Sequence, residues 1–397
     1  MIAGWSERWS FRLPAKSATL STAPPVRCGV CWRRGKRLTK ERLSAPLRIW
    51  AILGARAGDN NQVVALAEAL GLPFEIKHLR YNCLRRLGPR LLGRSLASLT
   101  RDSRKLVLAE SPPDLTISAG HRSVPVVQAL RHGSGGRTRS IHVGFPRVSP
   151  DRFDLVISTP QYPIPDHPNL LRVPYALTRA ATAAPEPADK ALTDELPPPH
   201  HLLIVGGPTL FWTIDERALL ETLGEMLATA AKESGSVLVT TSPRTPDRVR
   251  DAIVWELTAS GVPSLLAQPR HAPAYAALLG AADTIRVTSD SVAMISDAIW
   301  TGRPVALVPV RKSPLGRVAI GVIERLHGGQ RLYPRDLRFF WRGLAEIGVG
   351  EQLSLPRTST DEQMRAVLER VQPILEAAAA NAQHANAVER NDPRGRA

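Results

Sequence analysis

The chain predicts an α/β protein of two Rossmann-like domains facing each other across a cleft. Three observations carry this. Short runs rich in β-branched residues alternate with helix-period segments, the pattern of parallel sheets with crossover helices. Several of those runs end in glycine- or hydroxyl-rich turns just before a helix: Gly54 to Gln62, Ala119 to Ser123, Gly206-Gly207-Pro208 and Ser289-Asp290-Ser291. An Ala-, Pro- and acid-rich stretch over residues 181–200, with Pro197-Pro198-Pro199 near its end, divides the pattern in two. In open parallel sheets ligands bind at the carboxyl ends of the strands.

The first domain is expected over residues 47–180. Leu47 to Leu53 reads as a strand, Gly54 to Gln62 as a turn, and Val63 to Leu70 as a helix ended by Gly71-Leu72-Pro73. Phe74 to Leu79 is the next strand. Between Tyr81 and Val107, Leu84, Leu87, Leu91, Leu92, Leu96 and Leu99 recur at helical intervals among Arg85, Arg86, Arg90, Arg94, Arg101, Arg104 and Lys105. That predicts a basic amphipathic helix, which either lies on an anionic membrane or packs with its basic face in water. Leu115 to Ser118 is a strand that enters Ala119-Gly120-His121-Arg122-Ser123 and a helix from Val124 to Arg131. His121 is a candidate general base or, with Arg122, a phosphate ligand; a plain helix-start histidine is the alternative. Strands follow at Ile141 to Gly144 and Leu155 to Ser158.

The second domain is expected over residues 201–356. Leu202 to Val205 is its first strand, and Gly206 and Gly207 would let a ligand lie against the backbone. A helix over Glu216 to Lys232, capped by Thr213 or Asp215, comes next. After the strand Val237 to Thr241, Ser242 and Arg244 sit in a strand-end turn that suits phosphate. Ile285 to Thr288, the Ser289-Asp290-Ser291 turn, a helix from Val292 to Trp300 and a strand from Val305 complete a strand–turn–helix–strand unit. The helix start favours an anion. Asp297, two turns in, could reach a ribose; simple capping by the Ser and Asp residues is the alternative. Lys312 and Arg317 are the next basic candidates. A closing helix over 357–376 and a disordered tail over 377–397 end the chain.

Composition narrows the partners. The formal charge is +16, which suggests a polyanion, an anionic membrane surface or a basic tail. Roughly half of that excess lies in residues 1–46, where Glu7 and Glu41 are the only acids and Arg33 to Arg37 form a cluster. This segment reads as a disordered basic extension or, from its composition, a transit peptide. No basic motif interleaved with aromatics appears, so nucleic acid is not an expected partner. No apolar run of about eighteen residues predicts a transmembrane helix. Cys28-Gly-Val-Cys31 has redox or half-zinc spacing with no second pair after it, so no metal is expected. A cytoplasmic, reducing location is expected, peripheral at the inner face of a membrane.

The order Tyr275-Ala-Ala, Ala282-Asp283, strand, Ser289-x-Ser291, helix with Asp297 before Gly302, then Pro304 and an apolar strand resembles the donor-site segment of B-type glycosyltransferases. The enzymes that add N-acetylglucosamine to lipid-linked peptidoglycan precursors are similar there. The resemblance implies a donor diphosphate on Ser289 and Ser291 and a ribose on Asp297. Asp290 stands where that family tends to have Gly. It also implies a terminal helix packed back on the first domain, and no metal, since no Asp-x-Asp motif appears.

Over Leu47 to about Ile374 the chain is similar to the mitochondrial fission ELM family. The signals are Trp50, Gly58-Asp59, Gln62, Ser118-Ala-Gly-His121, Pro174-Tyr-Ala-Leu-Thr178, Gly206-Gly-Pro208 and Gly302-Arg-Pro-Val305. Ser242-Pro243-Arg244-Thr245-Pro246 departs from the Ser-Arg-Arg-Thr-Pro more often seen. Plant members sit on the mitochondrial surface and recruit a dynamin-related protein. Together the resemblances imply transfer of a sugar from a nucleoside-diphosphate sugar, needing no further cofactor. The donor would be bound by Gly206, Gly207, Ser242, Arg244, Ser289, Asp290, Ser291, Asp297, Lys312 and Arg317. The acceptor, for which a lipid-linked molecule is one reading, would meet Gly58, Gln62 and Arg122, with Asp59 or His121 as base. A non-catalytic membrane-surface adaptor that recruits a protein partner is the alternative.

Overall fold

A computed structural model describes residues 46–179, 187–267, 272–327 and 335–390. Most of the expected basic extension, with Cys28 and Cys31, and residues 391–397 of the expected tail lie outside the described residues.

The strands are β1 Ile49–Leu53, β2 Glu75–His78, β3 Leu115–Ala119, β4 Arg139–Val143, β5 Leu155–Ser158, β6 Leu170–Arg172, β7 His200–Val205, β8 Trp212–Ile214, β9 Ser236–Thr241, β10 Ser264–Ala267, β11 Thr284–Thr288, β12 Val305–Val308 and β13 Val310–Lys312. The helices are α1 Ala57–Ala69, α2 Pro89–Leu92, α3 Arg101–Leu108, α4 Val124–Gly133, α5 Pro187–Asp194, α6 Glu216–Glu233, α7 Asp247–Ser260, α8 Ala272–Ala281, α9 Val292–Trp300, α10 Pro314–His327, α11 Leu337–Glu346 and α12 Thr360–Arg390.

Two separate parallel sheets result. The first runs β2-β1-β3-β4-β5-β6 and the second β10-β9-β7-β11-β12. A short antiparallel ribbon of β8 and β13 stands beside them. Helices cover both faces of each sheet, so the central strands bury both sides and read as continuous apolar runs; β1 and β5 are buried along their whole length. One apolar cluster reaches from Leu53 and Ile117 in the first sheet to Leu202 and Ile285 in the second. The two layers therefore share a core where they meet. α1 and α9, which start at the carboxyl ends of β1 and β11, touch there: a Cβ on Gly58 would lie 3.4 Å from that of Ala293.

Four expectations change. The helix after β1 starts at Ala57, so Gly58, Asp59 and Gln62 lie in its first two turns and not in a loop. The basic leucine stretch is not one helix. It is a one-turn 3-10 segment, Cys83–Arg86, then α2, then α3. Pro89 starts α2, Gly93 ends it at φ 56°, and Asn82 pins the loop by donating to Ala97 O and Leu99 O. The linker holds α5, where Ala- and Lys-containing sequence follows a Pro at the helix start. Finally, the closing helix does not stop near residue 376. α12 continues to Arg390, because Ala378 and Ala379 still bury their methyl groups.

α12 packs back on the first domain, as expected for a B-type fold. Gln363 donates to Tyr175 O (3.1 Å) and Asn381 to Arg137 O (2.9 Å).

Candidate functional site

β1 and β3 are neighbours, so the turns at their carboxyl ends lie side by side. The first turn is braced by Asn60, whose amide oxygen accepts from Gly54 N and whose nitrogen donates to Gly54 O, both at 2.9 Å. The second turn passes through Gly120 at φ 73°, and Ser123 Oγ donates back to Gly120 O at 2.9 Å. Between them lies a pocket lined by Gly54, Arg56, Asp59, Tyr81, His121 and Arg122, among others. Asp59 leans over Gly120: a Cβ there would sit 3.2 Å from its Oδ2. The positive φ and this close approach both require glycine.

The pocket is strongly cationic. Burial, then Arg147, Arg122 and Arg56, push the His121 pKa down to about 4. At neutral pH its imidazole is uncharged. Burial raises the Asp59 pKa, against the pull of Arg56, Arg335 and Arg122. Burial likewise holds the Tyr81 phenol protonated. Behind His121, the buried His142 bonds Ser118 Oγ (3.1 Å) and is pushed to about 3 by burial and then by His121, so it too is neutral. Arg147 occupies the left-handed region at φ 61°, an uncommon place for a long side chain.

At the carboxyl end of the second sheet the groups are already paired. Asp290 is buried, and its carboxylate accepts from Gly207 N (3.0 Å) and from Thr288 Oγ1 (2.7 Å). Arg244 reaches it at 3.6 Å. A Cβ on Gly206 would collide with this carboxylate, and one on Gly207 with the Arg244 backbone. Both glycines are thus required by the chain's own packing, where a ligand was expected. Asp290 is buried, and Arg244 stands on its solvent side. Ser242 Oγ accepts from Arg244 N (3.0 Å), and Ser289 Oγ donates to Val308 O (3.0 Å). Ser291 is the N-cap of α9. Lys312 lies on β13, and Arg317 is exposed in the first turn of α10.

Asp297 is buried and fully bonded. Thr178 Oγ1 donates to its Oδ1 at 2.5 Å and Tyr275 OH to its Oδ2 at 3.1 Å. Burial pushes its pKa up to about 6, against those two bonds. Ala176 N donates to Ser296 Oγ (2.9 Å), and Trp300 Nε1 donates to Ala176 O (2.8 Å). The segment leaving the first domain is clipped to α9 in this way. Both Asp297 oxygens face protein hydroxyls where a ribose was expected.

Of the expected acceptor residues, Asp59, His121 and Arg122 come together. Gly58 packs against α9, and the Gln62 amide donates to Gly58 O within its own helix (3.2 Å). Arg56, Tyr81, Arg147 and Arg335 were missed. Arg56 lies inside a turn the sequence singles out. The other three arrive from loops distant in sequence. Among the described residues no group of three or more His, Cys, Asp or Glu side chains could hold a metal.

A family model described as Mitochondrial fission ELM1 matches residues 57–336, well over half of the chain. The chain belongs to the mitochondrial fission ELM1 family. A curated relative, mitochondrial fission protein ELM1 of Arabidopsis thaliana, is 27% identical over 227 residues, covering 49% of this chain and 51% of that protein. The chain thus matches about half the length of that ELM1 protein. Among solved structures, UDP-GlcNAc 2-epimerase from Methanocaldococcus jannaschii is 12% identical, with 82% of this chain and 99% of that one covered at a TM-score of 0.47. MurG from Acinetobacter baumannii is 15% identical, with 85% and 95% covered at 0.41. Likenesses this distant add nothing on function to the sheet order that this ELM1-family chain shows itself. No helix among the described residues is long and apolar enough to cross a membrane.

Proposed function

We propose that this ELM1-family protein is a sugar-transferring enzyme that takes a nucleoside-diphosphate sugar in the cleft and deprotonates its acceptor with Asp59. The observation that supports this is the placing of Asp59 and His121 in one pocket at the carboxyl ends of β1 and β3. Direct displacement at the sugar carbon needs a base for the acceptor hydroxyl. A good base has a pKa near the working pH. Asp59 is shifted toward that range, whereas His121 is shifted away from it. Asp59 is therefore the base, and neutral His121 orients the hydroxyl by hydrogen bonding. The donor's phosphates would lie toward the start of α9, offset by Arg244 and Arg317. Calorimetry with a panel of nucleoside-diphosphate sugars tests the reading. Binding by at least one is expected, and none binding to folded protein removes it.

A second reading, a membrane-surface adaptor for a protein partner, has its own support. Leu84, Leu87 and Leu91 are exposed beside Arg85, Arg86, Arg90 and Arg94, although the segment is not a single helix. Such a surface suits an anionic bilayer. Sedimentation with anionic vesicles, released by salt and lost when the four arginines become Gln, is the expected result. No sedimentation would remove the membrane part of that reading.

A further inference from the structure

Two arginines line the first-sheet pocket, and a third acts on it from a further segment. Arg56 comes from the turn after β1, Arg122 from the turn after β3, and Arg147 from the loop after β4. All three act on His121. Asp59 is the one acid among the residues lining the pocket. Some other arginines of this domain have counter-ions: Arg131 and Arg139 share Asp154 at 3.2 and 3.0 Å, Arg48 meets Glu110 at 3.1 Å, and Arg172 meets Asp166 at 3.0 Å. The side chains of Arg56, Arg122 and Arg147 make no hydrogen bond or salt bridge among the described residues. Arg147 is also held in the left-handed region, and such outliers gather where a ligand contact maintains them.

We propose that the acceptor carries a phosphate or diphosphate group, seated on Arg56 and Arg122 beside His121, with Arg147 adding positive charge from the loop after β4. This rests on the reading that the first-sheet pocket takes the acceptor. A planar carboxylate is satisfied by one arginine fork. Guanidinium groups approaching from two segments, with the Tyr81 hydroxyl from a third, match a tetrahedral group, which accepts from several sides. The starts of α1 and α4 add their free N–H groups to the same end of the pocket.

Calorimetric titration of the full chain with inorganic pyrophosphate tests the proposal. Pyrophosphate should bind, and Arg122→Gln or Arg147→Gln should each weaken it by about tenfold or more. Arg217→Gln, on the exposed face of α6, should leave it unchanged. Because the three side chains make no bond among the described residues, the Gln variants should keep the fold, which circular dichroism checks. In NMR the His121 imidazole should titrate at higher pH once pyrophosphate is bound, since the anion offsets the arginines. Failure of pyrophosphate to bind overturns the proposal. So does unchanged binding by a folded variant with all three arginines replaced. Pyrophosphate binding that needs Arg122 but survives Arg244→Gln upholds it even if no nucleotide sugar binds. Competition by phosphatidylcholine vesicles containing phosphatidic acid separates the sources. Displacement of pyrophosphate assigns a lipid phosphate and its absence a water-soluble one, and both keep the shared chemistry.

Discussion

At the carboxyl end of the first sheet, Arg56 and Arg122 line one pocket with Asp59 and His121 and form no ion pairs among the described residues. At the carboxyl end of the second sheet, Arg244 already has Asp290, and Asp297 already has Thr178 and Tyr275. Both regions come from the same kind of sequence, a strand entering a turn of small and polar residues before a helix. They differ in who supplies the counter-charge. In the second sheet the chain supplies it, and the glycines make room for it. In the first sheet the arginines find no such partner among the described residues. Glycine-rich turns thus report close approach of something to the backbone, without saying whether it belongs to the protein.

The largest expected effect breaks the comparison on its open side. Asp59→Asn removes the proposed base and should lower turnover by about 10²- to 10⁴-fold once a substrate pair is found, with folding retained. Near-normal turnover in that variant would leave the open region as a binding pocket only.

On the closed side the expected effects are on stability. Asp297→Ala leaves the Thr178 and Tyr275 hydroxyls unpaired in the core and should cost about 2–4 kcal/mol in denaturant unfolding. Gly207→Ala forces a methyl group into the Arg244 backbone and should cost about 1–3 kcal/mol. If Asp297→Ala unfolds like the parent but loses a nucleotide ligand, the carboxylate belongs to a donor site after all.

A subtler test uses pH, because His121 and Asp297 carry opposite signs. His121 titrates near 4 when folded and near 6.5 when unfolded. The unfolded chain then binds more protons between those values, so stability rises with pH there. Asp297 titrates near 6 when folded and near 3.8 when unfolded. Its contribution is fully present below 3.8 and lost as pH rises through about 6, a difference worth about 3 kcal/mol. Following the urea midpoint from pH 4 to 7, His121→Asn should remove an upward slope and Asp297→Asn a downward one. Equal slopes in both variants would contradict the contrast.

The smallest effect concerns the contact between the regions. Gly58→Ala adds a methyl group at ordinary packing distance from Ala293 and raises helix propensity, so its stability change should stay within about 1 kcal/mol. A large loss would mean that α1 and α9 meet more tightly than this geometry shows.

Most strands, the division into two sheets and the turns at their ends were determined by the sequence alone. Alternation of apolar runs with helical periods is local, and β5 and α9 lie where the residues predict them. Asp59, His121 and Arg122 were legible for the same reason, since strand-end turns can be counted along the chain. What surrounds them was not. The leucine repeat from Leu84 to Leu99 satisfies helical spacing, yet the Pro89 and Gly93 backbones and the Asn82 bonds to Ala97 and Leu99 divide it. Ala378 and Ala379 look like tail residues until the first domain is there to bury them. The charge of Arg147 acts on His121 only because β4 lies beside β3. Asp297 is bonded by Thr178 and Tyr275, 119 and 22 residues away, and Asp290 faces Gly207 across 83 residues. Pairing of charges and hydroxyls acts over a few ångströms in space. Only the tertiary structure therefore decides which polar residues are spent on the protein and which remain for a ligand.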